Sequence, residues 1–459
     1  MYEVNFHSPN HVHFIGIGGI SMSGLAEILL KEGFTVSGSD AKASDLTKLL
    51  ESLGACVHIG QRPSNITDDI DLVVYTAAVH KDNPELSEAL RRNIPTLTRA
   101  ELLGQIMKHY EQSITVSGTH GKTTTTSMIS QILLAAHTDP TISVGGMLES
   151  IGGNIRVGSS DVFLTEACEY TNSFLNFYPK YSVILNIEED HLDFFKDLDD
   201  IRHSFRRFAA NTASNGTLIL NSAIKNPEEI THGLPCRIIF YGTRKTEDYF
   251  ADTIVYDDKG CASFQAHLKD GRTLPIHLQI PGAHNVSNAM AAIALAAEAG
   301  ISSDAIIEGL QSFGGAARRF ELKGKLGDVT IVDDYAHHPT EIRATLTSAR
   351  NIPHGRLICV FQPHTYSRTK AFWNEFADAL SLADIVVLAD IFPARETDTL
   401  GVRSADLAKA IEARGTECHY FPGFDEIENF LLSNCMNNDL LITMGAGDVY
   451  KIGDALLGK

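Results

Sequence analysis

The densest concentration of chemistry-bearing residue types is Gly118, Thr119, His120, Gly121, Lys122, Thr123 and Thr124, a glycine-rich turn between the apolar run Ile114 to Ser117 and a helical pattern. It has the form of a phosphate-binding loop shortened between its glycines. Backbone N–H groups in such a turn cradle phosphate oxygens, Lys122 can reach the outer phosphates, and the Thr123 hydroxyl can ligate Mg²⁺. A lysine in a turn that opens a helix has little packing value, so a purely structural role accounts for it poorly.

Two further segments end apolar strands with metal-ligand types: Thr165 to Glu169 and Asn186 to His191. Carboxylate oxygen suits a hard ion, which makes Glu166 a sensible partner for Thr123 on Mg²⁺. An imidazole is a less usual ligand for that ion, so His191 is read either as a ligand or as a helix-capping or surface histidine. Near the start, Gly16, Gly18 and Gly19 follow another apolar run, with Ser21 where a dinucleotide fingerprint has its third glycine and Asp40 ending the next strand. That pattern fits a nucleotide held at a helix N-terminus, or simply a tight strand-to-helix turn. Late in the chain, Asp333 to Pro339 and Phe361 to Arg368 also end apolar runs and open helices, and Gly445 to Asp448 is a third such end or a plain turn.

Something must hold these groups at strand ends. From His11 to about Leu103, strands such as His11 to Gly16 and Leu72 to Tyr75 alternate with helical patterns at Met22 to Lys31 and Asp45 to Leu53, the signature of a parallel, doubly wound sheet. The alternation restarts at Ile114 and continues through Val162 to Thr165 and Val183 to Asn186. Between Cys236 and Ile280 it gives way to polar alternation and turn signals, predicting an antiparallel subsheet, and a helix over about 286–299 follows. Beyond a small-residue linker at Gly314 to Ala317, strands are predicted at 330–333, 357–361, 385–388 and 440–444, with helices over 372–380 and 405–413. The fold class is α/β in three domains: residues 1–109, Rossmann-like; 110–317, P-loop ATPase-like; and 318–459, Rossmann-like.

Composition agrees with the 459-residue length, for which about three domains is a soft prior. Hydrophobic residues at 44% and charged residues at 21% are ordinary globular values. With 38 basic against 57 acidic residues, the net charge of -19 repels nucleic acid and anionic membrane at long range, while leaving a small phosphorylated ligand open. No apolar run reaches the ~18 residues that span a bilayer, so membrane insertion is not expected. Seven scattered cysteines without a C-x-x-C pair suit a reducing compartment, and a cytoplasmic location is expected.

Taken in order, Gly16 to Gly19, Gly118 to Thr124, Glu166, His191, His284–Asn285, Arg318 to Phe320, Asp334 to Pro339 and Phe361 to His364 resemble the Mur ligases of peptidoglycan synthesis over nearly the whole chain. The resemblance is strongest to the branch that joins L-alanine to UDP-N-acetylmuramate. It implies ATP as co-substrate, Mg²⁺ as cofactor, and an acyl phosphate displaced by the amino acid to give UDP-N-acetylmuramoyl-L-alanine, ADP and phosphate. A monomer and a homodimer both remain open.

By that resemblance the first loop holds a UDP-sugar rather than a nicotinamide, through Gly18, Gly19, Ile20, Ser39, Asp40, Thr76 and Ala77. ATP falls to Gly118, Thr119, His120, Gly121, Lys122, Thr123 and Thr124, with Asn285 near adenine and Arg319 and Asp334 completing the site. Metal is assigned to Thr123, Glu166 and His191, the amino acid to Tyr335, His337, His338, His364 and Arg368, and catalysis to Lys122, Glu166, His191 and His337. Three positions depart from the familiar pattern: Ser21 replaces a glycine, Cys168 an aspartate and Thr365 an arginine. The alternatives are a tripeptide-recycling ligase acting on the same UDP-sugar and a nucleotide-binding regulator without catalysis, which would leave Lys122, Glu166 and His191 unexplained.

Overall fold

The structure is a computed structural model that describes residues 2–76, 79–80, 82–394 and 396–459. Among these residues the strands form three sheets of five, ten and six strands, the three-domain α/β arrangement anticipated from the alternation of patterns.

The first sheet is parallel throughout, in the order Cys56–Ile59, Thr35–Asp40, His11–Ile15, Leu72–Tyr75, Thr96–Thr98. Val12, Phe14, Ile15, Leu72, Val73 and Val74 are fully buried, as expected of central parallel strands covered on both faces. Parallel direction puts every carboxyl end, and so Gly16, Asp40, Thr76 and Arg99, along one edge. The helix Ile20–Lys31 buries Met22, Leu25, Ala26, Ile28 and Leu29 against this sheet. Its Gly24 meets the central unit so closely that a Cβ would lie 1.8 Å from the Ile155 side chain.

The second sheet runs Thr273–Pro281, Cys261–His267, Tyr249–Tyr256, Arg237–Gly242, Thr217–Asn221, Tyr181–Ile184, Gln112–Ser117, Val162–Ala167, Thr141–Leu148, Gly153–Arg156. Its core packs on the helices Lys122–Ala135 and Ala283–Glu298, the latter buried almost all round by its alanines. The expected antiparallel region is narrower than its sequence suggested. The strands from 249 to 281 pair antiparallel, but Arg237–Gly242 is parallel to both its neighbours, and the whole region is the edge of one continuous sheet. Polar alternation reports a half-solvated face, not strand direction.

The third sheet has the order Glu321–Leu326, Val329–Asp334, Leu440–Met444, Leu357–Phe361, Ile385–Leu388, Glu417–Tyr420. Glu321–Leu326, the antiparallel edge strand, has too little apolar character to announce itself. The helix expected over 372–380 is Trp373–Leu380, preceded by a separate short helix, Tyr366–Ala371. No described helix is long and apolar enough to cross a membrane, and the seven cysteines are free thiols.

Candidate active site

The strand Gln112–Ser117 delivers the chain into a turn in which Gly118 and Gly121 have φ of 140° and 84°. A Cβ on Gly121 would stand 2.7 Å from Asn288 Oδ1, so the turn accepts glycine there for space as well as for conformation. The turn is tied to the segment 186–191: His120 N donates to Asn186 Oδ1 at 2.8 Å, and Glu188 N donates to Thr119 Oγ1 at 2.9 Å. Lys122 is largely buried, with Nζ 3.0 and 3.2 Å from the Glu169 carboxylate oxygens and 2.5 Å from Gly118 O. Burial would pull its pKa down, but the Glu169 charge dominates and holds the ammonium above its ordinary range.

Thr123 Oγ1 donates to Glu166 Oε2 at 3.1 Å, and Gly145 N donates to Glu166 Oε1 at 2.5 Å. Burial pushes the Glu166 pKa up against these bonds and the Lys122 charge. A buried carboxylate beside a hydroxyl and raised in pKa is short of positive charge, and its all-oxygen donor set fits Mg²⁺. His191, at φ 52°, lies in a neighbouring acidic pocket, its Nε2 3.9 Å from Glu169 and 3.8 Å from Asp190. Burial lowers its pKa, leaving a neutral ring with a lone pair. Among the described residues no ion pair joins it to Glu166. A second grouping, His120, Glu188 and His338, brings ligand atoms within 4.8 Å of one another. It suits a metal poorly, because Thr340 N donates to His338 Nδ1 and so fixes that ring's proton on Nε2.

The third domain closes over the turn. Thr340 Oγ1 donates to Glu188 Oε2 at 2.9 Å, while the His120 ring stands 3.5 Å from Glu188 and 3.3 Å from Glu341. Burial disfavours the imidazolium, yet the two carboxylates outweigh it and lift the His120 pKa to about 9. Between these units lies a cavity lined by His120, Thr124, Asn285, Arg319, Asp334 and Glu341, a size and composition suited to a nucleotide. Asn285 is held there by Pro281 O at 2.7 Å and by Asn288 at 3.0 Å. Asp334 accepts from Phe320 N and Ala336 N at 2.8 and 2.7 Å, and burial lifts its pKa to about 6. Arg319 lies over the Tyr335 ring at 5.2 Å and 4.0 Å from Glu341.

A second cavity opens between Tyr170 and Asp190 to Asp193 on one side and His364, Thr365, Ser367 and Arg368 on the other. Arg368 spans it: Nε and Nη2 donate to Asp190 Oδ1 at 3.1 and 2.9 Å, and Nη1 stands 3.3 Å from His364 Nδ1. Burial works against ionisation of Asp190, but the Arg368 charge overrides it and keeps the carboxyl well below its usual range. His337 donates from Nδ1 to Tyr335 O at 3.0 Å, so Nε2 carries a lone pair. Burial pulls its pKa to about 3, which keeps it neutral. Thr365 has φ 68°, a strained conformation for a β-branched residue. His338, expected among the amino-acid contacts, is instead the N-cap of Pro339–Arg350, 4% exposed and packed on the His120 and Phe372 rings.

On the first sheet, Gly18 N donates to Asp40 Oδ2 at 2.9 Å, and a Cβ on Gly18 would lie 2.8 Å from Thr47. Ile20 opens the following helix with its side chain 55% exposed, free to lie against a ligand. Ser39, expected among the UDP-sugar contacts, is fully buried and braces the glycine loop, its hydroxyl donating to Glu85 at 2.5 Å and its carbonyl accepting from Gly16 and Ile17. Thr76 ends the neighbouring strand at the same edge; Ala77 lies outside the described residues. Glu169, Glu188 and Asp190 fall within the two segments read as carrying metal-ligand types but received no individual role from sequence, and Glu341 was not singled out. Glu341 could have been, since it falls in the first turn of the helix that the Asp333 to Pro339 segment opens, where its carboxylate accepts from His337 N at 3.1 Å.

A shortened phosphate-binding turn facing a closing third domain, with a nucleotide-type loop on a separate first sheet, defines an ATP-dependent ligase architecture, and the chain belongs to the Mur ligase family. The family's catalytic-domain profile matches residues 11–111, its middle domain 116–296 and its glutamate ligase domain 318–447. The UDP-N-acetylmuramate–L-alanine ligases of Agathobacter rectalis and Lachnospira eligens are 63% and 57% identical to it, over all of both chains in each case. Among solved structures, the UDP-N-acetylmuramate-alanine ligase of Thermotoga maritima aligns over 98% of each chain with TM-score 0.80 at 28% identity. A murein peptide ligase of Psychrobacter arcticus, also covering 98% of each chain, aligns with TM-score 0.70 at 25% identity.

Proposed function

We propose that this chain joins L-alanine to the carboxylate of UDP-N-acetylmuramate at the expense of ATP. The observation that carries this reading is 63% identity, end to end, to a ligase named for that reaction. Residue roles, and the division into units 1–109, 110–317 and 318–459, belong to the same proposal. The sugar carboxylate attacks the γ-phosphorus of ATP, the bond to the β-phosphate oxygen breaks, and ADP leaves. The alanine amine then attacks the acyl carbon, loses a proton, and expels phosphate.

Lys122 exchanges Glu169 for phosphate oxygens and stabilises the charge that gathers on them. Asn285, Arg319 and Asp334 line the nucleotide cavity, and Thr123 and Glu166, with His191 in the neighbouring acidic pocket, would hold Mg²⁺. When bound, Mg²⁺ neutralises phosphate charge and favours phosphoryl transfer. Arg368, fixed by Asp190, offers its remaining N–H groups to the alanine carboxylate, with His364 beside it and Tyr335 assigned to the same substrate. His337 Nε2 accepts a hydrogen bond from the incoming amine. Docking of the third domain excludes water from the acyl phosphate. The loop Gly16–Ile20, with Asp40, Thr76 and Ala77, takes the UDP end. Such substrates place the enzyme in the cytoplasm, where seven free thiols are stable.

The test is ADP release with UDP-N-acetylmuramate against a panel of alanine, serine, glycine and the L-Ala-γ-D-Glu-diaminopimelate tripeptide. Turnover with alanine is expected. Turnover with the tripeptide alone would make the chain a recycling ligase, and none at all would leave a nucleotide-binding regulator.

A further inference from the structure

The two-residue period of neighbouring parallel strands puts His11 and His13, and Ser37 and Ser39, on one face of the first sheet. There they join two carboxylates. His11 Nδ1 stands 2.9 Å from Asp69 Oδ2, and its Nε2 stands 2.8 Å from Ser37 Oγ. The same hydroxyl is 2.9 Å from His13 Nδ1, while His13 Nε2 has no hydrogen-bond partner and faces Glu85 Oε2 at 3.6 Å. His13 and Glu85 are fully buried, whereas the Asp69 side chain is 73% exposed. Among the described residues, the charged groups within ion-pair distance of the two rings are Asp69 and Glu85, and Asp71 accepts from His11 N at 3.0 Å.

The tautomers follow from these partners. A carboxylate only accepts, so His11 carries hydrogen on Nδ1, and a neutral His11 then has a bare Nε2. The single Ser37 hydrogen can satisfy that nitrogen, but His13 must then donate from Nδ1 and turn a lone pair on Nε2 toward Glu85. If the Ser37 hydrogen goes to His13 Nδ1 instead, two lone pairs meet between His11 and Ser37. With both rings neutral, one contact is repulsive either way. One added proton repairs the chain, because His13 Nε2 then donates toward Glu85 and every other nitrogen and oxygen is matched. Burial would raise the Glu85 carboxyl, but His13, Ser39 and Asn65 hold it below its ordinary value, so it meets the ring as an anion.

Glu85 also braces the loops above it. Its Oε2 accepts from Ser39 Oγ at 2.5 Å and its Oε1 from Asn65 Nδ2 at 2.6 Å. The Ser39 carbonyl accepts in turn from Gly16 N and Ile17 N at 2.8 and 2.9 Å, and Asn65 donates to Gly60 O at 3.0 Å. We propose that Asp69, His11, Ser37, His13 and Glu85 form a relay that stores one proton inside the first sheet, and that losing this proton at high pH loosens the glycine loop. As His11 Nε2 passes its hydrogen to Ser37 Oγ, the Ser37 hydrogen passes to His13 Nδ1, so the positive charge crosses from the outer ring to the inner one with no atom gained or lost. Release to solvent takes place at the Asp69 end. That the loosened loop costs nucleotide affinity rests on the function proposed above.

The test follows the ring nitrogens of ¹⁵N-histidine-labelled full-length protein by NMR against pH, in wild type and in Asp69→Asn. Asp69 is exposed, so its replacement leaves the fold in place. The asparagine amide can donate to His11 Nδ1, and two neutral rings with hydrogen on Nε2 then match every partner. Wild type is expected to lose one proton from the two rings in a single shared transition, and Asp69→Asn to hold both rings as neutral Nε2–H tautomers across the same range. Above the wild-type transition the Gly16 and Ile17 amides should exchange with solvent about tenfold faster and UDP should bind about five- to tenfold more weakly, while Asp69→Asn shows neither change. Two rings that stay neutral in wild type, two independent transitions, identical titrations of wild type and variant, or amide exchange that ignores the transition would each overturn the relay. Wild type that binds no UDP at any pH would refute the reading of the loop instead, and the ring titration would still decide the relay.

Discussion

The pair Asp190–Arg368 is the most demanding contact between the central and third domains, and breaking it gives a defined expectation. Both side chains are under a tenth exposed, at 8% and 9%, and two guanidinium N–H groups converge on one carboxylate oxygen. An exposed ion pair contributes about 0–1 kcal/mol, whereas removing one member of a buried pair costs about 3–5 kcal/mol, because the survivor is left uncompensated. At about 1.4 kcal/mol per decade, the latter weakens docking of the third domain on the order of a hundredfold to several thousandfold. Asp190→Asn, Arg368→Met and the double variant, followed by urea unfolding, complete a mutant cycle. The double variant should be more stable than the sum of the singles requires, since it removes both charges. In steady-state assays Asp190→Asn should raise the KM for alanine about tenfold or more and leave that for ATP nearly unchanged, because Arg368 remains but is no longer aimed. Strictly additive single effects with unaltered alanine kinetics would show that the contact is dispensable and that Arg368 is positioned by something else.

Lys122→Ala should fold normally and lose about a hundred- to a thousandfold in kcat for ADP release, the usual effect of deleting one charge-stabilising group; near-wild-type turnover would remove the phosphate-binding turn from the mechanism. Glu166→Ala should shift the Mg²⁺ titration of activity to higher concentration, and an unmoved titration would place the ion elsewhere. His120, raised from 6.5 to about 9, contributes stability that is fully present below about pH 6.5 and is lost as pH rises through about 9. Thermal melts should fall across that window, and His120→Asn should flatten the fall; an unchanged slope would separate His120 from the two carboxylates. NAD should not compete with UDP-N-acetylmuramate, and tight NAD binding without sugar-nucleotide binding would reverse the reading of the first loop.

Strand ends were the legible part of this molecule. An apolar run followed by glycines or by Asp, Glu and His fixes both a sheet edge and the chemistry on it, which is why Gly118 to Thr124, Glu166, Asp334 and Arg368 could be singled out by type and position. Partnership between distant segments left no local mark. Nothing near Arg368 says that Asp190, 178 residues away, will take two of its N–H groups. Nothing near Lys122 says that Glu169 will hold it. For Ser39 and His338, assigned to ligands by the resemblance, the sequence does not tell that one is buried against Glu85 and the other caps its own helix. The edge strand Glu321–Leu326 was missed because alternating charge and small residues carry little apolar signal.

The short stretch Asn186 to His191 grips the phosphate-binding turn at one end through Asn186, and meets the third domain through Glu188 on Thr340 and Asp190 on Arg368. Two cavities thus share one strut. A small molecule wedged between Tyr170 and Arg368 would displace Asp190 and pull on the residues that shape the turn, without entering the space of the nucleotide. Its inhibition would not be relieved by raising ATP. Chemistry aimed at this seam would therefore avoid competition with the cell's abundant nucleotide pool, an advantage no compound seated in the adenine cavity can have.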